Sequence, residues 1–206
     1  MLTHTDTPVN TSSRIRLSPE ESRAGAIAAA RALLIEEGPG AVTLKAVAAR
    51  VGKTHANILH HFGSAAGLQR ALAEDISARV TAGIGEAVEA SWRGEADEGL
   101  IVTRTFEAFE REGGGALASW MILTGETANL APILHATHDL VERLAEGKPD
   151  HPVREHTLGL VLLALGNSLL GKPMAEALDL PPHAARDLGR RLLRDPHRSA
   201  DSDGNE

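Results

Sequence analysis

VTLKAVAARVGKTHANILHHF, residues 42–62, holds two short helical patterns split by a tight turn. Leu44, Val47 and Val51 return at three- to four-residue spacing, so the first half predicts a helix with one buried face. Gly52 ends it. Thr54, after Lys53, is placed to cap a second helix whose inward side is Ile58 and Phe62. Two short helices across so tight a turn form a helix-turn-helix, which lets a second helix enter a DNA major groove.

Upstream, Ser18-Pro19-Glu20-Glu21 is a strong helix start: Ser18 caps, Pro19 takes the first helical position and Glu21 closes a capping box. The helix runs to about Glu37 with Ile27, Ala30 and Leu34 on one side, and Gly38-Pro39-Gly40 stops it. It should pack across the pair and complete a three-helix head. Residues 1–17 lack a packing period and read as a flexible arm, in which Arg14 and Arg16 are either phosphate contacts or solvated charges.

Downstream, Gly63-Ser64 offers a turn and a cap before Leu68, Leu72, Ile76, Val80, Ile84 and Val88, an apolar stripe recurring every four residues. That stripe predicts one helix shared by the head and a second domain. Trp92 to Gly99 is a polar break. A helix over Leu100–Glu112 follows, ended by Gly113-Gly114-Gly115, which reads as a bend or mobile loop. Ala116–Thr124 reads as a short apolar helix, and Asn129 as the cap of the next. Val153–Leu170 is apolar around most of its circumference and needs cover on all sides, from another subunit or from the rest of the monomer. Pro181–Leu193 forms a last short helix, and the tail from Asp195 is polar and disordered in this reading.

No strand pattern or internal repeat is present. The expected fold is all-α, about nine helices, divided into an arm (1–17), a helix-turn-helix head (18–66), a helical body (67–194) and a tail (195–206). The chain of 206 residues has no cysteine, which excludes disulfides and thiolate metal sites. Neither a signal-peptide pattern nor an apolar run approaching a membrane span is apparent, so a soluble cytoplasmic protein without a membrane partner is the expectation. The net charge of -7 is unevenly spread: residues 1–62 carry seven Lys or Arg against five Asp or Glu, the remainder fourteen against twenty-three. A weakly basic head on an acidic body is compatible with DNA contact on one face.

Thr43 starting a helix, Ala48 within it, Gly52 at the turn, Thr54 as cap, His61-Phe62, and Leu68 after Gly63-Ser64 resemble the DNA-binding head of the TetR family of transcriptional regulators. The resemblance covers roughly residues 20–72. It implies a homodimer on a near-palindromic double-stranded DNA operator, released when an unknown small-molecule effector enters the helical body. It also implies a dimer interface built by the last two long helices, here through Leu158, Val161, Leu162, Leu165, Leu169, Leu188 and Leu192.

Carried over by position, Lys45 can reach DNA, and His55, Ala56, Asn57 and His60 fall on the exposed side of the recognition helix. Asn57 either reads adenine through its amide or bonds locally. His61, Thr43 and Thr54 are candidates for phosphate. Two departures matter: Leu59 stands where the family commonly has a phosphate-touching tyrosine, and Ala65 where it commonly has a lysine. Lys53, at a position more often small and apolar, can replace some of that charge. The leading reading is therefore a ligand-responsive dimeric regulator, acting as a repressor. The alternative is a helical ligand-binding or protein-interaction module with weakened or lost DNA binding.

For the effector, Phe106, Phe109, Trp120, Met121, Leu134 and His138 are candidate lining residues, with Asn167 as a polar anchor; the competing reading is that the large ones are simply core. Trp120 and Met121, beside the glycine-rich bend, have the best claim. No phosphate loop, Ser-centred elbow or zincin motif is present, so no catalytic residue and no cofactor are expected. His135 and His138, with His151, His156, Asp139 and Glu142, give a weaker metalloenzyme reading; ordinary boundary histidines are favoured and no metal site is assigned.

Overall fold

The computed structural model describes residues 18–125 and 127–194. The readings of residues 1–17 and 195–206 lie outside the described residues. Within them are nine α-helices and no strand: α1 (Pro19–Glu37), α2 (Leu44–Arg50), α3 (His55–Phe62), α4 (Ala65–Trp92), α5 (Glu98–Glu110), α6 (Gly114–Leu123), α7 (Ala131–Gly147), α8 (Val153–Ala177) and α9 (Ala184–Arg194). Short 3-10 turns at Pro39–Ala41 and Thr127–Leu130 join them.

Local chemistry sets the head. Ser18 Oγ accepts from the Glu21 amide at 3.1 Å while Glu21 Oε2 accepts from the Ser18 amide at 2.7 Å, so the capping box closes in both directions. Gly52 lies in the left-handed region (φ 65°). There Lys53 N–H donates to Ala48 O at 2.9 Å and Gly52 N–H to Ala49 O at 3.3 Å, the paired bonds of a Schellman stop. This stop aims α3 away from α2 within three residues.

The first core cluster joins Leu33 and Leu34 of α1, Val47 of α2, Ile58 and Phe62 of α3 and Leu68 to Ile76 of α4. It also takes in Leu117 and Met121 of α6, so the apolar interior of the head continues into the body. A second cluster unites Val102 and Phe106 of α5 with Leu160 and Ala164 of α8, with Leu192 and Leu193 of α9 packed against it. A third lies where Leu140, Val141 and Leu144 of α7 meet Val153 of α8. The stripe from Leu68 to Val88 therefore runs along one unbroken helix that serves all three clusters.

Three local expectations are corrected. The glycine run is not a mobile loop: Gly113 turns the chain at φ 89°, and Gly114 and Gly115 already form the first turn of α6. A Cβ on Gly115 would come within 2.5 Å of Ser168 Oγ and 2.7 Å of the Phe109 carbonyl, so glycine is needed there for close packing. Asn129 does not cap α7, which starts after Leu130 without a side-chain cap; Asn129 is buried in the preceding 3-10 turn. Finally, α8 extends to Ala177, and by length and composition it is apolar enough to cross a membrane. Its Val153, His156, Leu160 and Ala164 row is buried within the helical body.

Candidate DNA-binding face and ligand cavity

Each short helix of the head is started by a threonine. Thr43 Oγ1 accepts from the Ala46 amide at 3.1 Å, and Thr54 Oγ1 from the Asn57 amide at 3.2 Å. Because Ile58 and Phe62 are drawn into the core, the opposite side of α3 must face out. His55, Ala56, Leu59 and His60 are indeed exposed, and so are Thr43, Lys45, Lys53 and Thr54. His61 is half-buried between the rings of His60 (6.0 Å) and Phe62 (6.4 Å). Behind them the Arg23 guanidinium lies 5.3 Å from the centre of the Phe62 ring.

The cations of the head divide into two sets. Arg50 is held by Glu36 and by Glu37, the latter at 3.7 Å, and Arg31 by Asp75 at 3.6 Å. Lys45 and Lys53 enter no ion pair among the described residues. Asn57 is half-buried, and its Oδ1 is buried without a hydrogen-bond partner among the described residues, so its amide reaches a base only after the side chain turns. The sequence does not reveal this, since position on a helical wheel says nothing of rotamer.

In the body, α4, α5, α7 and α8 converge on a cavity of about 210 Å³. Val80, Ile84, Val88 and Trp92 line it from α4, Ile101 and Phe109 from α5, Leu134, Leu140 and Leu144 from α7, and Leu160 and Val161 from α8. No Asp, Glu, Lys or Arg lines it. The hydroxyls of Ser77, Thr81, Thr105 and Thr137 on its walls donate to backbone carbonyls three or four residues earlier, at 2.8–3.1 Å. His156, 7% exposed, also faces the cavity, and Thr157 stands next to it. Burial holds the His156 imidazole below the ordinary histidine pKa, reinforced by the neighbouring His151 and opposed by Glu155. Its ring meets that of His151 edge-on at 5.6 Å, and His151 in turn lies 6.0 Å from Trp92.

Of the seven side chains expected around an effector, Phe109 and Leu134 line this cavity. Phe106 is fully buried in the second cluster; Met121, with Trp120 packed against it, belongs to the first. His138 is exposed beside Glu142, and Asn167 donates to Glu110 at 2.6 Å. The sequence reading missed Trp92, the four threonines and His156. For Thr81 and Trp92 the signal lay in the α4 stripe, which continues through them at helical spacing; Thr105, Thr137, His156 and Thr157 sit on other helices, and only the tertiary packing brings them to the cavity.

The expected interface residues also separate. Leu158, Leu162 and Leu169 on α8 are 62, 58 and 53% exposed, and Leu188 on α9 is exposed with them. Leu165 is half-buried. Val161 faces the cavity, while Leu192 packs inward, where a Cβ on Gly159 would meet its Cδ2 at 2.5 Å. Among the described residues no group of three His, Asp or Glu side chains is placed to hold a metal ion.

Residues 26–72 match the family model for bacterial regulatory proteins of the tetR family. The match begins in α1, spans the helix-turn-helix and ends in α4. No curated protein sequence matches the chain. Among solved structures, the crystal structure of the superantigen PfiT is similar, with a TM-score of 0.53 at 16% identity over 89% of this chain and 100% of that one. At that identity the likeness shows a shared fold alone.

Proposed function

With residues 26–72 belonging to the TetR family of bacterial regulatory proteins, and the chain thereby a DNA-binding transcriptional regulator, we propose that it is a homodimeric, cytoplasmic repressor released from a near-palindromic operator by a small molecule. The observation that carries this reading is the exposed side of α3, with the unpaired cations Lys45 and Lys53 on the same head. His55, Ala56 and His60 meet base edges in the major groove, joined by Asn57 once its amide turns outward. Lys45, Lys53, Thr43, Thr54 and His61 hold phosphates and fix the register.

The exposed leucines of α8 and α9 support the dimer. Leu158, Leu162, Leu169 and Leu188 form an apolar surface that a second copy covers with the same residues in a two-fold interface. Ligand response rests on α4, whose N-terminal third is in the head core while Ser77 to Trp92 forms a cavity wall. A ligand that prefers one placement of α4 shifts the spacing of the two heads by its difference in affinity between the two states.

The test is selection of bound duplexes from a random DNA library, followed by affinity measurements at two salt concentrations. Enrichment of a near-palindrome, bound far more tightly than random duplex, is expected. Leu59, 39% exposed on the recognition helix, favours the second reading, a module with weakened DNA binding. Failure of folded dimer to enrich any sequence would favour that module over the repressor.

A further inference from the structure

Three polar side chains on the wall of the cavity keep their hydrogen-bonding capacity unused: the exposed His151 and, more buried, His156 and Thr157. The imidazole of His156 and the hydroxyl of Thr157 make no hydrogen bond among the described residues, whereas Ser77, Thr81, Thr105 and Thr137 all donate to their own helices. His156 and Thr157 are consecutive on α8 and both border the same space. The wall opposite them is largely apolar, from Val80 and Ile84 to Leu140 and Leu144, and its hydroxyls are spent on their own helices. The polar atoms of His156 and Thr157 face the open space of the cavity, so a ligand that fills it must supply a hydrogen-bond partner there or leave them unpaired at a cost.

From this arrangement we infer that the cavity binds an uncharged, largely apolar hydroxyl compound, a small phenol or alcohol, whose hydroxyl sits against His156 and Thr157. The inference rests on the ligand-responsive reading above and narrows it to a chemical class. A hydroxyl both donates and accepts, and it therefore satisfies an imidazole nitrogen and the threonine oxygen together. The walls disfavour charge: they carry no Lys or Arg to pair a carboxylate and no Asp or Glu to pair an ammonium, and their only ionisable side chains are the imidazoles of His151 and His156, so an ion would be desolvated with little compensation. The depressed pKa of His156 keeps that ring neutral, so it does not stand in for a cation near neutral pH. Size sets the rest. An apolar cavity of about 150 Å³ takes benzene, so about 210 Å³ accommodates one ring bearing a short alkyl group.

The test compares three probes of nearly equal shape by isothermal titration calorimetry on the full chain: para-propylphenol, propylbenzene and para-propylbenzoate. The phenol is expected to bind at least about tenfold more tightly than either of the others, the worth of one or two hydrogen bonds. His156→Leu and Thr157→Val should each shrink that preference and leave propylbenzene affinity within about threefold. Thr157→Val serves should His156→Leu fail to fold by circular dichroism. Equal binding of phenol and propylbenzene, tightest binding of the benzoate, or no binding of any probe to folded wild type would overturn the inference. The assay contains no DNA, so its failure leaves an enriched operator standing. Conversely, phenol binding without an enriched operator would retain this site and remove the repressor.

Discussion

Asn167 of α8 donates its amide to Glu110 of α5 at 2.6 Å, and the same carboxylate takes the guanidinium of Arg186 from α9. One carboxylate thus ties three helices, and the residue that reads in sequence as a ligand anchor is committed to the scaffold. Glu110→Ala leaves both partners without their acceptor. Because the pair is partly solvated, a loss of about 1 kcal/mol in stability is expected by urea unfolding. An unchanged midpoint would show the tie to be idle.

The junction between the recognition helix and α4 depends on Gly67. A Cβ at that position would lie 2.0 Å from the Phe62 carbonyl oxygen, and backbone cannot step aside as a side-chain tip can. Gly67→Ala should therefore cost about 1–3 kcal/mol and weaken DNA binding by tilting α3. Thermal unfolding and operator affinity together check this, and wild-type values in both would refute it.

Lys53 has no carboxylate partner among the described residues, so its charge is available to a phosphate. Lys53→Ala is expected to lower affinity for operator and random duplex alike and to reduce the slope of log K against log salt by about one. If affinity and slope both stay put, Lys53 does not touch DNA.

His156 has a folded pKa below its unfolded value, so its contribution to stability changes sign in a defined way. Above the unfolded pKa the ring is neutral in both states and nothing is lost. As pH falls below about 6.5 the unfolded chain takes up a proton that the folded chain resists. Stability should then decline until pH passes below the folded pKa. The nearby groups that modulate this are His151 and Glu155. Denaturant unfolding between about pH 5 and 7.5 should show this decline, flattened in His156→Leu; parallel profiles would contradict the assignment.

Leu162 stands in the middle of the exposed leucine row on α8. A glutamate there is tolerated by a monomer in water and opposed by an apolar interface, where it would meet its own copy across a two-fold axis. Leu162→Glu should therefore convert dimer to folded monomer in light scattering. A dimer of undiminished stability would place the interface elsewhere.

The local grammar of the head and the helical class are legible in the residues alone. Ser18 with Glu21, Thr43, Gly52 and Thr54 are cues whose chemistry acts within four or five residues, so the helices they start and stop are legible without any tertiary contact. The spacing of Leu68 to Val88 likewise foretold the single helix that joins head and body. The arrangement of the body was decided only in three dimensions. Whether Phe106 fills a core or lines a cavity, whether Leu192 points in or out, and whether Gly115 is a hinge or a close contact all depend on which helix lies opposite. A helical period identifies an apolar face but not its partner, and in an all-helical body every apolar face has several possible partners. The cavity between α4, α5, α7 and α8, with His156 and Thr157 on its wall, is the product of that choice.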